Sequence, residues 1–294
     1  MENFKQLFNN DGFIYPVKAI EENDAINIKK KYLNFYRSIN SQSYRIEHKT
    51  KTHLLFKWAN ELVFNENIIQ AVKKLLGNDF VAWNSLIFLK PPNSNKFVSF
   101  HQDQNYWKIN MDKGLTVQIA LSESTIENGC LQVLPGSHKK NYEHYDKKDT
   151  NNLLARGQEV ELSNEEKLKK KNIILKPGEF CLFHGNIVHG SDINKSKDYR
   201  ILFSIRYLTP DNKINKKYYY NYATLVNGED KYNYFKKEPN LKNDKNQICK
   251  NFHEKLITRQ AKIYAKIYLK RFSIVSFLIN FRIIRDIVYY LRSK

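Results

Sequence analysis

The amino-acid sequence predicts a mainly β protein with flanking helices, its strands forming a sandwich or barrel of the jelly-roll kind. Three observations predict it. From Phe80 onward the spacing of apolar residues changes from helical to a period of two. Several short strand-like runs then follow one another, and turn-forming pairs such as Pro91-Pro92, Asn128-Gly129, Pro135-Gly136 and Pro177-Gly178 separate them. No internal repeat of about 20–50 residues is present, so nothing points to a propeller or a solenoid.

Taken in order, residues 1–40 read as helical, broken by a turn at Asn10-Asp11-Gly12. Asn23-Asp24 is placed to cap a helix running through Ile26, Lys30, Leu33 and Phe35. Residues 48–57 are polar and read as a loop, whereas 68–76 have helical spacing and stop at Gly77. The strand-like runs are 80–90, 97–103, 115–122, 130–134, 173–175, 180–184 and 200–208. Residues 139–170 form a charged, polar insertion. Residues 211–250 are polar and rich in Tyr, Asn and Lys, and 252–294 turn helical again.

Composition bounds the class. Of 294 residues 41% are apolar and 14% aromatic, which supplies a sizeable core and excludes a disordered chain. Only 10 glycines and 7 prolines exclude a collagen-like or linker-dominated one. Cys130, Cys181 and Cys249 include no C-x-x-C pair, which argues against a disulfide framework or a thiolate zinc site and fits a reducing cytoplasm. Residues 1–13 contain no apolar run of the kind a secretory signal needs, so a cytoplasmic location is expected. The net charge is +19, and it is uneven: residues 211–294 hold 19 basic and 7 acidic side chains. Such a region either meets an anionic partner or presents a solvated helical face.

The sharpest local feature is Phe100-His101-Gln102-Asp103. In an extended strand residues i and i+2 project to one face, so His101 and Asp103 can offer an imidazole and a carboxylate to one point. His189, before the turn at 190–198, supplies a second imidazole. Two histidines and one carboxylate with open positions form the facial triad of non-haem Fe(II) oxygenases, although zinc also accepts these ligands. Arg200, eleven residues after His189 and across the turn, favours iron. A guanidinium holds a carboxylate bidentately and keeps its charge, as an oxo-acid chelating a metal through its other end would require. On the run 200–207, Arg200, Leu202, Ser204 and Arg206 share one face, and a second inward arginine calls for an anion. On 115–121, Thr116, Gln118 and Ala120 form a small or polar face that leaves room for a ligand. His138 and His184 read as structural.

These stretches resemble the phytanoyl-CoA dioxygenase family of Fe(II)/2-oxoglutarate oxygenases, especially its bacterial members. The matching motifs are "HLL" at 53–55, "FLKPP" at 88–92, "FVSFHQDQNYW" at 97–107 and "VQIALSESTIENGCLQVLPGSHKK" at 117–140. They continue with "NNLLARGQEV" at 151–160, "LKPGEF" at 175–180, "VHGSDINKSKDYRILFSIRY" at 188–207 and "LVNGEDKYNYF" at 225–235. The resemblance covers roughly 5–265 in family order. It implies a double-stranded β-helix (jelly-roll, cupin-like) core at about 80–210 within a catalytic domain of 1–265. It implies His101, Asp103 and His189 as iron ligands, and Arg200 with Ser191 on the far carboxylate of 2-oxoglutarate. Gln102, Leu86 and Gln118 stand where relatives line the co-substrate, Gln118 replacing a tryptophan of some of them, and Lys51 falls near a family lysine with the same role. Trp107, Arg156 and Arg206 match residues that face the substrate. Relatives that halogenate lack the carboxylate that Asp103 supplies, so hydroxylation is implied, with O2 as oxidant and succinate and CO2 as co-products. The implied substrate is a small or carrier-bound molecule, which Arg206 and the positive charge suggest is anionic. A silent barrel that binds a ligand or partner is the rival from another class.

Residues 266–294 read as a basic amphipathic helical tail. The run 272–291 is apolar, but Arg282, Arg285 and Asp286 interrupt it, against a membrane-spanning helix. It either lies on an anionic membrane, at the inner face, or docks on protein. Binding of nucleic acid through this tail is weighed as a third reading and is not expected.

Overall fold

The structure is a computed structural model. It describes residues 2–39, 48–107, 109, 111–147, 149–154, 158–214, 221–241, 243 and 246–268, with only the backbone for 106, 107, 111, 261 and 263–268. The expected tail beyond 268 and Arg156 lie outside the described residues, as does the side chain of Trp107.

Two sheets stack face to face, and helices cover the outer side of the larger one. The helices are α1 (Glu2–Asp11), α2 (Glu22–Ser38), α3 (Lys57–Val63) and α4 (Glu66–Leu76). The large sheet has the order β1-β9-β4-β11-β2-β12-β13. Its strands are β1 (Phe13–Lys18), β2 (Phe80–Lys90), β4 (Gly114–Ala120), β9 (Glu179–His184), β11 (Arg200–Leu208), β12 (Tyr222–Asn227) and β13 (Lys236–Lys237). The small sheet has the order β3-β10-β5-β8, from β3 (Val98–His101), β10 (His189–Ser191), β5 (Leu131–Val133) and β8 (Lys171–Ile173). Two helices lie elsewhere, α5 (Asp103–Trp107) directly after β3 and α6 (Asn164–Leu168) in the polar insertion. The last described helix, α7 (Gln247–Tyr268), runs through the expected domain boundary at 265.

Strand alternation sorts the core. Ile201, Phe203, Ile205 and Tyr207 of β11 and Leu115, Val117 and Ile119 of β4 pack outward with Tyr32, Trp58, Ile68 and Val72 of the helices. Leu202 of β11 and Ala120 of β4 point inward and pack with Leu131, Val133, Ile173 and Phe183 between the sheets. Along β2 the outward Ser85, Ile87 and Leu89 are buried, whereas the inward Asn84, Leu86 and Phe88 are only half-buried. This alternation marks an open space between the sheets, walled by the inner face of the large one.

The sequence missed three features here. Residues 13–18 form strand β1, whose Phe13, Ile14 and Val17 pair with β9, and Pro16 is tolerated because β1 is an edge strand. Residues 222–227, read as polar surface, form β12 and extend the large sheet against β2. The polar stretch 48–57 is buried rather than looped over the surface: Lys51, Thr52 and His53 are fully enclosed in a single 3-10 turn (Thr52–Leu54). In addition, α2 begins at Glu22, with Glu21 as its cap and no side-chain capping bond, instead of at Asn23-Asp24.

Candidate metal centre and the adjoining anion cradle

The strand expected at 97–103 stops at His101. The Gln102 amide donates to His144 Nε2 at 2.9 Å rather than to a strand neighbour, and Asp103 opens the short helix α5. Alternation along one strand is therefore not what brings His101 and Asp103 together. A helical turn swings the carboxylate back instead, and Asp103 Oδ1 lies 3.5 Å from His101 Nε2. His189 begins β10 and pairs directly with His101 across the β3–β10 ladder. The two rings lie 4.3 Å apart by their centroids, and His189 Nε2 is 4.0 Å from Asp103 Oδ2.

Both imidazoles are set for coordination. His101 Nδ1 donates to the Ser99 carbonyl at 2.8 Å, and His189 Nδ1 donates to the Ile187 carbonyl at 3.0 Å. A carbonyl can only accept, so each ring carries a proton on Nδ1, which leaves Nε2 as the atom available to a metal. Burial, and then the neighbouring His101, lower His189 to about 4, which keeps it neutral. Burial alone would raise Asp103, but Arg206 and the two histidines outweigh it and hold the carboxyl below the usual range. One ligand atom from each of the three residues lies within 4.8 Å of the others. Bonds of about 2.0–2.2 Å to one ion span ligand–ligand edges of about 3 Å, so a small contraction closes the set. Asp103 Oδ2 is buried and accepts no hydrogen bond, as a carboxylate reserved for a cation would be.

Arg200 and Arg206 both project from the inward face of β11, as the alternation predicts. The Arg206 guanidinium lies 3.7 Å from Asp103 Oδ2, beside the centre. Arg200 sits at the other end of the strand, 2% exposed, with no hydrogen-bond partner for Nε. Burial lowers it to about 10. Between the arginines, Gln118 Nε2 donates to Ser204 Oγ at 3.0 Å, while Gln118 Oε1 and Thr116 Oγ1 have no partner. Leu86 faces Ser204 from β2 and is half-buried at the open space. Ser191, two residues past His189, accepts a hydrogen bond from Lys90 Nζ at 2.7 Å.

Two expected co-substrate residues are placed elsewhere. Gln102 is fully buried, and both ends of its amide bind main chain: Nε2 donates to Lys140 O and Asn186 O, and Oε1 accepts from Tyr142 N. It fastens residues 140–142 beside the centre instead of lining a pocket. The correction for Lys51 is larger. Its ammonium is bonded to Trp83 O, Tyr222 O and Glu238 Oε1. Glu238 also accepts from His53 Nε2 at 2.9 Å, and His53 Nδ1 meets Ser85 Oγ at 2.7 Å, on the outward face of β2. Lys51 is thus held on the far side of the sheet from Arg200, neutralising a buried carboxylate. Burial works against the Glu238 charge, but Lys51 and His53 bring it down to about 2. Sequence reasoning also passed over Lys90, although its place in "FLKPP", in phase with Leu86 and Phe88, was a usable signal.

The fold and these side chains define a jelly-roll with a buried two-histidine, one-carboxylate centre between its sheets. The chain belongs to the Phytanoyl-CoA dioxygenase (PhyH) family, whose model matches residues 18–202. It is 28% identical over 152 residues to human "Phytanoyl-CoA dioxygenase, peroxisomal", covering 49% of this chain and 44% of that protein. It is 34% identical over 164 residues to the "Probable alpha-ketoglutarate-dependent hypophosphite dioxygenase" of Stutzerimonas stutzeri, covering 54% and 56%. The chain thus spans about half the length of the curated relatives it matches. Among solved structures, a non-heme monooxygenase, ThoJ in its apo form, superposes with a TM-score of 0.78 at 26% identity, covering 91% of this chain and 99% of that one. The structure described as CytC3 with Fe(II) and alpha-ketoglutarate shares the fold at a TM-score of 0.60 and 23% identity, over 80% and 91%. Among the described residues no helix is long and apolar enough to cross a membrane.

Proposed function

We propose that the chain is an Fe(II)/2-oxoglutarate-dependent dioxygenase that hydroxylates an unactivated C–H bond of a small or carrier-bound substrate. The observation that carries this reading is the convergence of His101 Nε2, His189 Nε2 and the Asp103 carboxylate, with Arg200 on the same inner wall. These three residues would hold the ferrous ion and leave part of its coordination sphere open. The orphaned Asp103 Oδ2, the two available imidazole nitrogens and the partnerless Arg200 Nε all fit such a group. When bound, iron and co-substrate supply the oxidation: substrate R–H, O2 and 2-oxoglutarate become R–OH, succinate and CO2.

The chain's own residues do the remainder. The Ser99 and Ile187 carbonyls fix both imidazole tautomers. Arg200, with Ser191, binds and orients the far carboxylate of the diacid. Gln118, Thr116 and Leu86 shape the wall along which it lies, and the apolar layer around Phe183 and Leu202 excludes water from the centre. Arg206 places positive charge at the metal side, which favours a substrate with an anionic group. On the resemblance, Trp107 and Arg156 face that substrate and residues 1–265 act as one domain; the location is cytoplasmic on the cysteine usage, and the basic tail 266–294 either meets an anionic membrane face or docks on protein. The alpha-ketoglutarate dependence printed for the Stutzerimonas relative supports the co-substrate.

The test is anaerobic addition of Fe(II) and 2-oxoglutarate, followed by a succinate-release screen over candidate substrates. A weak visible charge-transfer band and substrate-dependent succinate are expected from the wild type, and neither from Asp103→Ala. Absence of the band from the wild type would leave a silent binding barrel.

A further inference from the structure

The β2–β11 register places Lys90 directly opposite Arg200, so two fully enclosed basic side chains stand side by side at one end of the cavity. Lys90 Nζ is ringed by three oxygens: Ser191 Oγ at 2.7 Å, Gly129 O at 3.4 Å and Asp192 O. In its ammonium form, the form an anion beside Arg200 favours, Lys90 has three N–H groups, and the ring matches them one to one. The two carbonyls can only accept. Ser191 Oγ therefore receives the third N–H, and its own proton must point elsewhere. Among the described residues no acceptor takes that proton. On the neighbouring strand, Arg200 Nε likewise has none.

We infer that Lys90 is a positioning residue for 2-oxoglutarate: by occupying the Ser191 lone pair it turns the Ser191 hydroxyl into a fixed donor that shares the far carboxylate with Arg200. The inference rests on the oxygenase reading and adds a residue to it. Its electrostatics run the same way. Burial, then the Arg200 charge, pull Lys90 down to about 6, so an anion held by Arg200 favours the ammonium form that the ring of oxygens accommodates. Glycine is required at 129 for the cradle to close, because a Cβ there would lie 2.2 Å from Asp192 O.

The experiment compares two 2-oxo acids on the anaerobic Fe(II)-loaded full chain by calorimetry. 2-Oxoglutarate carries the far carboxylate; 2-oxovalerate has the same chelating end without it. Ser191→Ala, Lys90→Met and the double variant are measured with both. Lys90→Met is expected to weaken 2-oxoglutarate about ten- to a hundredfold, the worth of a hydrogen bond to a charged group. 2-Oxovalerate should change less than about twofold, and the double variant should bind no worse than Ser191→Ala alone, because Lys90 acts through that hydroxyl. Equal losses for the two acids, or losses that add in the double variant, would overturn the inference and leave the oxygenase reading intact. Wild-type protein that binds neither acid would overturn both. If Lys90→Met fails to fold, Lys90→Gln takes its place in the same cycle, with the same outcomes.

Discussion

His101 and His189 are direct partners across β3 and β10, and each ring is fixed by a carbonyl of the residue two positions before it in the chain. Backbone thus sets both tautomers, and only Asp103 is delivered by a different kind of element, the first turn of α5. The first prediction follows from this division. Asp103→Asn keeps shape and removes charge, so Fe(II) affinity should fall by at least about tenfold and hydroxylation should be lost, with the far-UV spectrum unchanged. Metal titration by calorimetry checks it. Retention of wild-type affinity would mean that the carboxylate is not a ligand.

Arg200 carries the second prediction. Its guanidinium is buried with Nε unpartnered, which fits the proposed anion, and among the described residues no ion pair joins it to the metal-ligand triad. Arg200→Met should raise the KM for 2-oxoglutarate at least about tenfold while Fe(II) affinity stays within about twofold, because a charge-assisted pair is lost and the centre is untouched. Parallel loss of metal and co-substrate would contradict this separation.

The third prediction concerns acid. Burial lowers His189, His184 and His253 to about 4 in the folded chain, against 6.5 for an unperturbed histidine. The unfolded chain therefore binds more protons between pH 6.5 and 4, so stability is fullest above pH 6.5 and falls as the pH drops through that window. A shift of this size corresponds to roughly 3 kcal/mol per histidine at most. Urea unfolding of metal-free protein should show a midpoint several tenths molar lower at pH 5 than at pH 7.5. A midpoint independent of pH would show that these rings are not held neutral by the fold.

What could be read from the sequence divides along the same physical lines. Local patterning revealed β2, β11 and the inward face that carries Arg200 and Arg206, because alternation is a property of neighbouring residues. The triad's membership was legible, but its geometry was not: the end of β3 at His101 depends on His144 taking the Gln102 amide, a contact some forty residues away. The resemblance puts Lys51 near the co-substrate, and its actual partner is not visible locally. Glu238 lies 187 positions further on in a stretch that reads as polar surface, and nothing local announces that it is buried. Strand β12, in the same stretch, was hidden by the same polar composition.

That buried pair supports the last prediction. Lys51, His53 and Glu238 all have side chains with no exposure, and together they tie the segment after β13 to the helical layer and to Ser85 of β2. Removing one charge leaves the other enclosed without compensation, which costs about 3–5 kcal/mol for a buried pair. Glu238→Gln should therefore destabilise the fold by an amount in that range. Lys51→Met together with Glu238→Gln should be less destabilising than Glu238→Gln alone, since the double variant buries no uncompensated charge. Because Lys51 lies on the opposite face of β2 from Arg200, the double variant should keep its 2-oxoglutarate affinity within about threefold. Denaturant unfolding and co-substrate binding on the same samples separate the two roles. A loss of affinity in the double variant without a loss of stability would return Lys51 to the co-substrate site.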